Sequence, residues 1–108
     1  MKIRQWESWK SRPEGFSADH WFVVISGQER LDSSRHHQIN GLACFTVRGN
    51  LQSSDVCLNA ADGFATATAC QCDIVWLLDK RKLHSSQGVV SWERQQQIKG
   101  KIKELLRL

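Results

Sequence analysis

The sequence predicts a mainly β (α+β) domain: a small β-barrel of five to six short strands closed by one C-terminal amphipathic helix. Three observations carry this expectation. The 108 residues suit a single domain, 1–108, built around its own core. Several short runs are rich in β-branched and aromatic side chains and are separated by turn signals. Finally, the segment after Ser91 places apolar residues near helical spacing. A barrel is the arrangement that leaves no strand edge exposed, and a chain of this length buries about two-thirds of its surface without a disulfide or metal staple.

Taken in order, Met1 to Trp9 offers a short first strand with Ile3, Trp6 and Trp9. Lys10 to Asp19, with Ser11, Pro13, Gly15 and Ser17, has the chemistry of a loop. His20 to Ser26 (HWFVVIS) is apolar on both alternating faces, which marks a strand covered on two sides, by the helix or by a second copy of the chain. A homodimer is the resulting expectation. Gly27 to His37 is polar and forms a long loop or short helix. Leu42 to Arg48 is a strand with Ala43, Phe45 and Val47 on one face and Leu42, Cys44, Thr46 and Arg48 on the other. Val56 to Leu58 is a short strand, Asp62-Gly63 a turn, and Thr66 to Leu78 one long strand or two joined pieces. There Ala69, Gln71 and Asp73 share a face opposite Cys70 and Cys72. A last strand over Gly88 to Val90 precedes a helix N-capped by Ser91, with Trp92, Ile98, Ile102, Leu105 and Leu106 forming its apolar stripe.

Composition excludes several classes. The longest apolar run, Trp21 to Ile25, is far too short to cross a bilayer, and no apolar leader opens the chain, so a cytoplasmic protein without membrane contact is expected. Cys44, Cys57, Cys70 and Cys72 lack the paired C-x₂₋₄-C spacing of zinc sites and read as free, buried thiols; no metal or other cofactor is expected. Neither a phosphate-binding glycine loop nor a nucleophile-elbow signature is present. Charge is uneven. Residues 1–79 carry seven Lys/Arg against nine Asp/Glu, whereas residues 80–108 carry eight against two, a local field suited to phosphate-bearing or acidic partners.

The polar residues on strand faces are the remaining candidates for chemistry: His20, Thr46 with Arg48, and Gln71 with Asp73. In-line cleavage of RNA needs a base for the 2′-hydroxyl, an acid for the leaving oxygen and donors for the phosphate, and these residue types supply them. Equally, they are ordinary strand-end residues of a barrel rim. Of the five tryptophans, Trp21, Trp76 and Trp92 are expected in the core, and Trp6 and Trp9, beside a loop, are expected to be exposed for stacking.

The ordered motifs narrow this choice. A Trp-rich first strand, a Pro/Gly loop, a strand ending Val-Ile-Ser, a strand ending Phe45-Thr46, the string ACQCDIVWLLDKRKL and a helix ending KELLRL together resemble the MazF/PemK (Kid/CcdB-like) family of toxin endoribonucleases. The resemblance spans Trp6 to Leu108 and is most specific at Cys72-Asp73, Leu78-Asp79-Lys80 and Leu83. It implies an SH3-like barrel, a homodimer, metal-independent cleavage of single-stranded mRNA leaving a cyclic phosphate and a 5′-hydroxyl, and an acidic antitoxin as inhibitor. By residue, Thr46 and Asp73 match the family's threonine and acidic residue; with His20 they are the expected catalytic groups, and Arg48, Gln71, Arg12 and Trp9 are the expected substrate contacts. Departures accompany it. His20 and Gln71 stand where relatives carry arginines, and a histidine or glutamine does not reproduce a bidentate guanidinium fork. An active variant, a relative with altered target preference and a catalytically impaired RNA- or protein-binding module all remain open.

Overall fold

The computed structural model describes residues 2–108. Its elements are β1 (Glu7–Ser11), β2 (His20–Val24), α1 (Gln28–Asp32), β3 (Gln38–Thr46), β4 (Asp55–Leu58), β5 (Thr68–Gln71), β6 (Trp76–Asp79), β7 (His84–Val89) and α2 (Trp92–Leu106). All strand pairings are antiparallel. The strands form one seven-stranded sheet in the order β4-β5-β3-β2-β1-β7, with β6 branching off β3. The expected five or six strands become seven because Thr66–Leu78 splits into β5 and β6. Closure is the other difference. No pairing joins β4 to β7, so the sheet is an open, curled layer, and α2 packs on β4.

The nine-residue β3 is the hub. One edge pairs with β2; the other pairs with β6 over Gln38–Gly41 and with β5 over Cys44–Thr46. Gly41 permits the changeover, since a Cβ there would stand 2.6 Å from Leu78 Cδ1 and 3.3 Å from Phe22 Cβ.

Alternation sends apolar residues to both faces of the sheet. On one face Val23, Leu42, Cys70, Val56, Leu58, Phe64, Val90 and Ile98 form a cluster under α2. On the other, Phe22, Val24, Ala43, Ile39, Leu78, Leu83 and Leu31 form a second. The two-faced strand β2 is therefore covered twice within the chain, with the helix on one side. Trp6 and Trp9 are buried rather than exposed, and for the same reason. Their opposite parity places Trp6 in the first cluster and Trp9 in the second, where its indole N–H donates to Glu7 Oε1 at 3.1 Å. Of the expected N-terminal strand, Met1 lies outside the described residues and pairing begins only at Glu7.

The start of α2 is fixed from a distance. Ser91 occupies the N-cap but its hydroxyl makes no capping bond; its own N–H donates to Asp62 Oδ1 at 2.8 Å. Asp62 lies in a short 3₁₀ turn whose first N–H, from Asn59, donates to Oδ2 at 3.0 Å. Gly63 and Gly88, both at positive φ, let this turn approach β7; a Cβ on Gly88 would meet Gly63 Cα at 2.8 Å. The expected stripe on α2 is only partly used. Ile98 is buried and Ile102 half-buried, but Trp92 is 70% exposed and Leu105 and Leu106 also face out. Among the described residues no helix is long and apolar enough to cross a membrane.

Candidate nucleic-acid interface and active-site cleft

Toward the start of β2 and the end of β3, the face that carries the α2 cluster changes character. Val23 is followed on the same face by Trp21 and Asp19, Leu42 by Cys44, Thr46 and Arg48, and buried Ser8 by Lys10 and Arg12. Trp21 pairs with Cys44 and Lys10 with both Trp21 and His84, so register sets these side chains in a row across four strands. Lys10 Nζ stands 5.2 Å over the Trp21 ring.

A cleft of about 390 Å³ opens here, lined by Asp19, His20, Trp21, Cys44, Thr46 and Arg48, among others. Trp21, Cys44 and Thr46 also line an adjoining cleft of about 200 Å³ that extends to Phe64, Thr68 and Gln87. His20 reaches the rim from the opposite face. Its ring packs at 5.0 Å from Phe16 and 4.9 Å from Phe45, which fixes its orientation. Thr46 and Arg48 are exposed and His20 is half-buried, so all three are open to a ligand.

Asp19 organises the mouth. One carboxylate oxygen, Oδ1, accepts from Arg12 Nε at 3.3 Å; the other, Oδ2, meets His84 Nε2 at 3.2 Å. Arg12 also lines a separate cleft of about 270 Å³ with Glu14, Gln38, Asp79 and Lys82. At its edge Asp79 accepts from the backbone N–H, Nε and an Nη of Arg81. The Arg81 guanidinium beside it holds the Asp79 carboxyl down to about 2.

Of the residues expected at a site, the cleft thus gathers His20, Thr46 and Arg48, with Arg12 one carboxylate away. It does not gather Gln71 or Asp73. Thr46 pairs with Thr68 at one end of β5, and Gln71 pairs with Asp55 at the other. Cys72 N–H still bonds Ser54 at 3.1 Å, so Asp73, five residues beyond Thr68, lies roughly 16 Å from the Thr46 end at ~3.3 Å per residue. Trp9, buried in the opposite cluster, offers no stacking face; half-buried Trp21 is the tryptophan that lines the cleft. Asp19, Trp21, Lys10 and His84 are the residues that sequence reasoning missed. Alternation back from Val23 and from Arg12 points to the first three, whereas His84 joins only through the β1–β7 pairing.

Cys44 forms part of the cleft wall and is paired with Cys70 across the ladder. Hydrogen bonding with Cys44, together with burial, pushes the Cys70 thiol well above its ordinary range. Cys72, hydrogen-bonded to Cys70 and partly buried, is pushed the same way. Among the described residues no three His, Cys, Asp or Glu side chains cluster as metal ligands would.

No protein-family model matches the sequence, and no curated protein matches it. Solved structures do match. An endoribonuclease from a mycobacterial species superposes with a TM-score of 0.79 at 15% identity, covering 100% of this chain and 94% of that one. The Mycobacterium tuberculosis toxin MazF-mt6 gives 0.77 at 13%, covering 94% and 97%. The MazE-MazF structure from Deinococcus radiodurans gives 0.78 at 14%, covering 100% and 98%. A mycobacterial endoribonuclease in complex with its cognate antitoxin gives 0.78 at 14%, covering 99% and 95%. The chain has the fold of the MazF toxins along nearly its whole length.

Proposed function

We propose that this chain is a toxin-type endoribonuclease that cleaves single-stranded RNA without a metal ion, as a homodimer restrained by an acidic antitoxin protein. The observation that supports it is the convergence of His20, Thr46 and Arg48 on one cleft, in a fold shared with endoribonucleases. The basic stretch after Asp79 suits an acidic protein partner. Exposed Val89, Trp92, Leu105 and Leu106 offer apolar area for subunit or partner contact.

The cleft residues divide the chemistry. Trp21 provides an aromatic surface on which a base stacks, and Arg48 and the Thr46 hydroxyl donate to the non-bridging phosphate oxygens. His20, fixed between Phe16 and Phe45, takes the 2′-hydroxyl proton. The 2′-oxygen then bonds to phosphorus, the P–O5′ bond breaks, and the products are a 2′,3′-cyclic phosphate and a 5′-oxygen that must gain a proton. Asp73, at the far end of β5, is left out of this scheme.

The test is incubation of the protein, stripped of co-purifying partner, with mixed single-stranded RNA in chelator. Cuts at a short shared sequence, ending in a cyclic phosphate and a 5′-hydroxyl, and lost in Thr46→Ala, are expected. A second reading has one observation behind it: the cleft holds a half-buried imidazole at position 20 where a guanidinium would grip phosphate best. RNA that is bound but left intact would favour that reading, a binding module.

A further inference from the structure

The adjoining cleft has no part in the scheme above beyond its shared wall. We propose that it receives one nucleobase of the RNA, next to the phosphate at Thr46 and Arg48, and that Gln87 reads the edge of that base; this rests on the endoribonuclease reading and adds a specificity-determining residue to it.

Trp21, Cys44 and Thr46 line both clefts, so an RNA whose phosphate meets Thr46 has a neighbouring base at the opening of the second. The two differ in charge. Asp19 and Arg48 line the first, whereas no Lys, Arg, Asp or Glu lines the second, which therefore suits a neutral base rather than a phosphate. At about 200 Å³ it is smaller than the roughly 300–1,000 Å³ of sites for drug-sized ligands, a scale suited to one ring system. Trp21 and buried Phe64 give it apolar walls, and Thr66, Thr68 and Gln87 give it polar groups. Aromatic walls hold any base, so discrimination has to come from hydrogen bonds at the base edge.

Gln87 is equipped for that. It pairs with Ser8 of β1, whose other neighbour is Val23, so it lies on the sheet face that carries Trp21. The close approach of Gly63 to β7 sets the width of the cleft there: a Cβ on Gly63 would stand 3.5 Å from the Gln87 carbonyl carbon, and Phe64 follows directly as the wall. The Thr68 hydroxyl is already engaged, donating to the Thr66 carbonyl at 2.9 Å. Half-buried Gln87, by contrast, has no hydrogen bond to its carboxamide among the described residues. That group offers an acceptor and a donor in one plane, which matches a base edge presenting a donor beside an acceptor.

The experiment uses RNA oligonucleotides carrying the site mapped in the mixed-RNA assay, with each of the four bases, or an abasic nucleotide, on either side of the scissile phosphate. Wild type is expected to prefer one base at one of these two positions. Gln87→Ala and Gln87→Glu should lower kcat/KM on that base by roughly 5- to 150-fold, flattening the preference, while cleaving the RNA abasic at that position within a few-fold of wild type. Variants slowed equally on the abasic RNA act through the fold and overturn the assignment, as do variants that keep the wild-type preference; both outcomes leave the endoribonuclease reading intact. Wild-type protein that cleaves no member of the panel overturns both.

Discussion

Replacing Asp62 by asparagine changes one atom and is expected to loosen the attachment of α2. The carboxylate is fully buried, at 0% exposure, and each oxygen accepts a backbone N–H: Oδ2 from Asn59 at 3.0 Å and Oδ1 from Ser91 at 2.8 Å. An asparagine side chain must turn its NH₂ toward one of these donors. The lost charge-assisted hydrogen bond is worth about 1.5–3 kcal/mol, and leaving a partly buried N–H without its acceptor adds about 1 kcal/mol, the low end of that cost. Together they place the destabilisation at about 2.5–4 kcal/mol, which for a domain of this size lowers the melting temperature by roughly 10–30 °C. Urea unfolding of both proteins, with an unchanged m-value as the sign that the two-state comparison holds, measures the effect. Amide exchange at Ser91 and in the first turn of α2 should accelerate along with it. An Asp62→Asn protein within about 0.5 kcal/mol of wild type, the scale of a neutral surface change, would refute the claim that this carboxylate clamps the helix.

The same helix supplies a contrast: Ile98→Ala should destabilise by about 2–5 kcal/mol and Trp92→Ala by less than about 0.5 kcal/mol, as read by denaturant titration. Asp79, held down to about 2 by Arg81, contributes stability that is present above its unfolded value of 3.8 and lost as pH falls toward 2; an NMR titration should show its midpoint rising toward 3.8 in Arg81→Gln. Half-buried Cys57 should react with a thiol-specific alkylating agent before buried Cys70 and Cys72, whose raised pKa values keep them protonated; mass mapping of the first adduct checks this. RNA binding should weaken with salt with a log–log slope near −0.7 per phosphate contact, becoming shallower by about that amount in Arg48→Ala, while Trp21→Ala lowers affinity by about 1–3 kcal/mol.

The β2 and β3 strands and α2 were legible because their evidence is local: alternation in HWFVVIS and LACFTVR, and the apolar stripe after Ser91. Alternation correctly placed Cys70 and Cys72 toward the core. The same reasoning set Gln71 and Asp73 together on one face yet missed their distance from Thr46. Parity assigns a face, whereas position along the neighbouring strand is fixed by register, here Thr46 with Thr68. Trp9 was misjudged as exposed because a loop neighbour suggests solvent, but β1 is covered on both faces. Half of the α2 stripe stays exposed because the helix meets the sheet chiefly through Ile98 and Ile102. His84 was beyond reach, since its approach to Asp19 depends on the pairing of the first strand with the last.

One face of the sheet serves two purposes, and the docking of α2 decides where one gives way to the other. At one end Val23 and Leu42 are sealed by Ile98; a step of two residues along each strand replaces them with Trp21 and Cys44, and a further step with Asp19 and Thr46. The neighbouring β1 changes in the same sense, from buried Ser8 to Lys10 to Arg12. Three adjacent strands turning polar in the same direction make a gradient that no single strand would reveal. Its middle is an aromatic ring beneath a lysine ammonium, and its outer margin carries Thr46, Arg48 and the Arg12–Asp19 ion pair, so on the proposed function a base stacks inside while its phosphate meets Thr46 and Arg48 at the rim. The apolar contacts that hold α2 against the first cluster therefore also leave the cleft uncovered, and the Asp62 clamp that anchors the helix helps to keep it so.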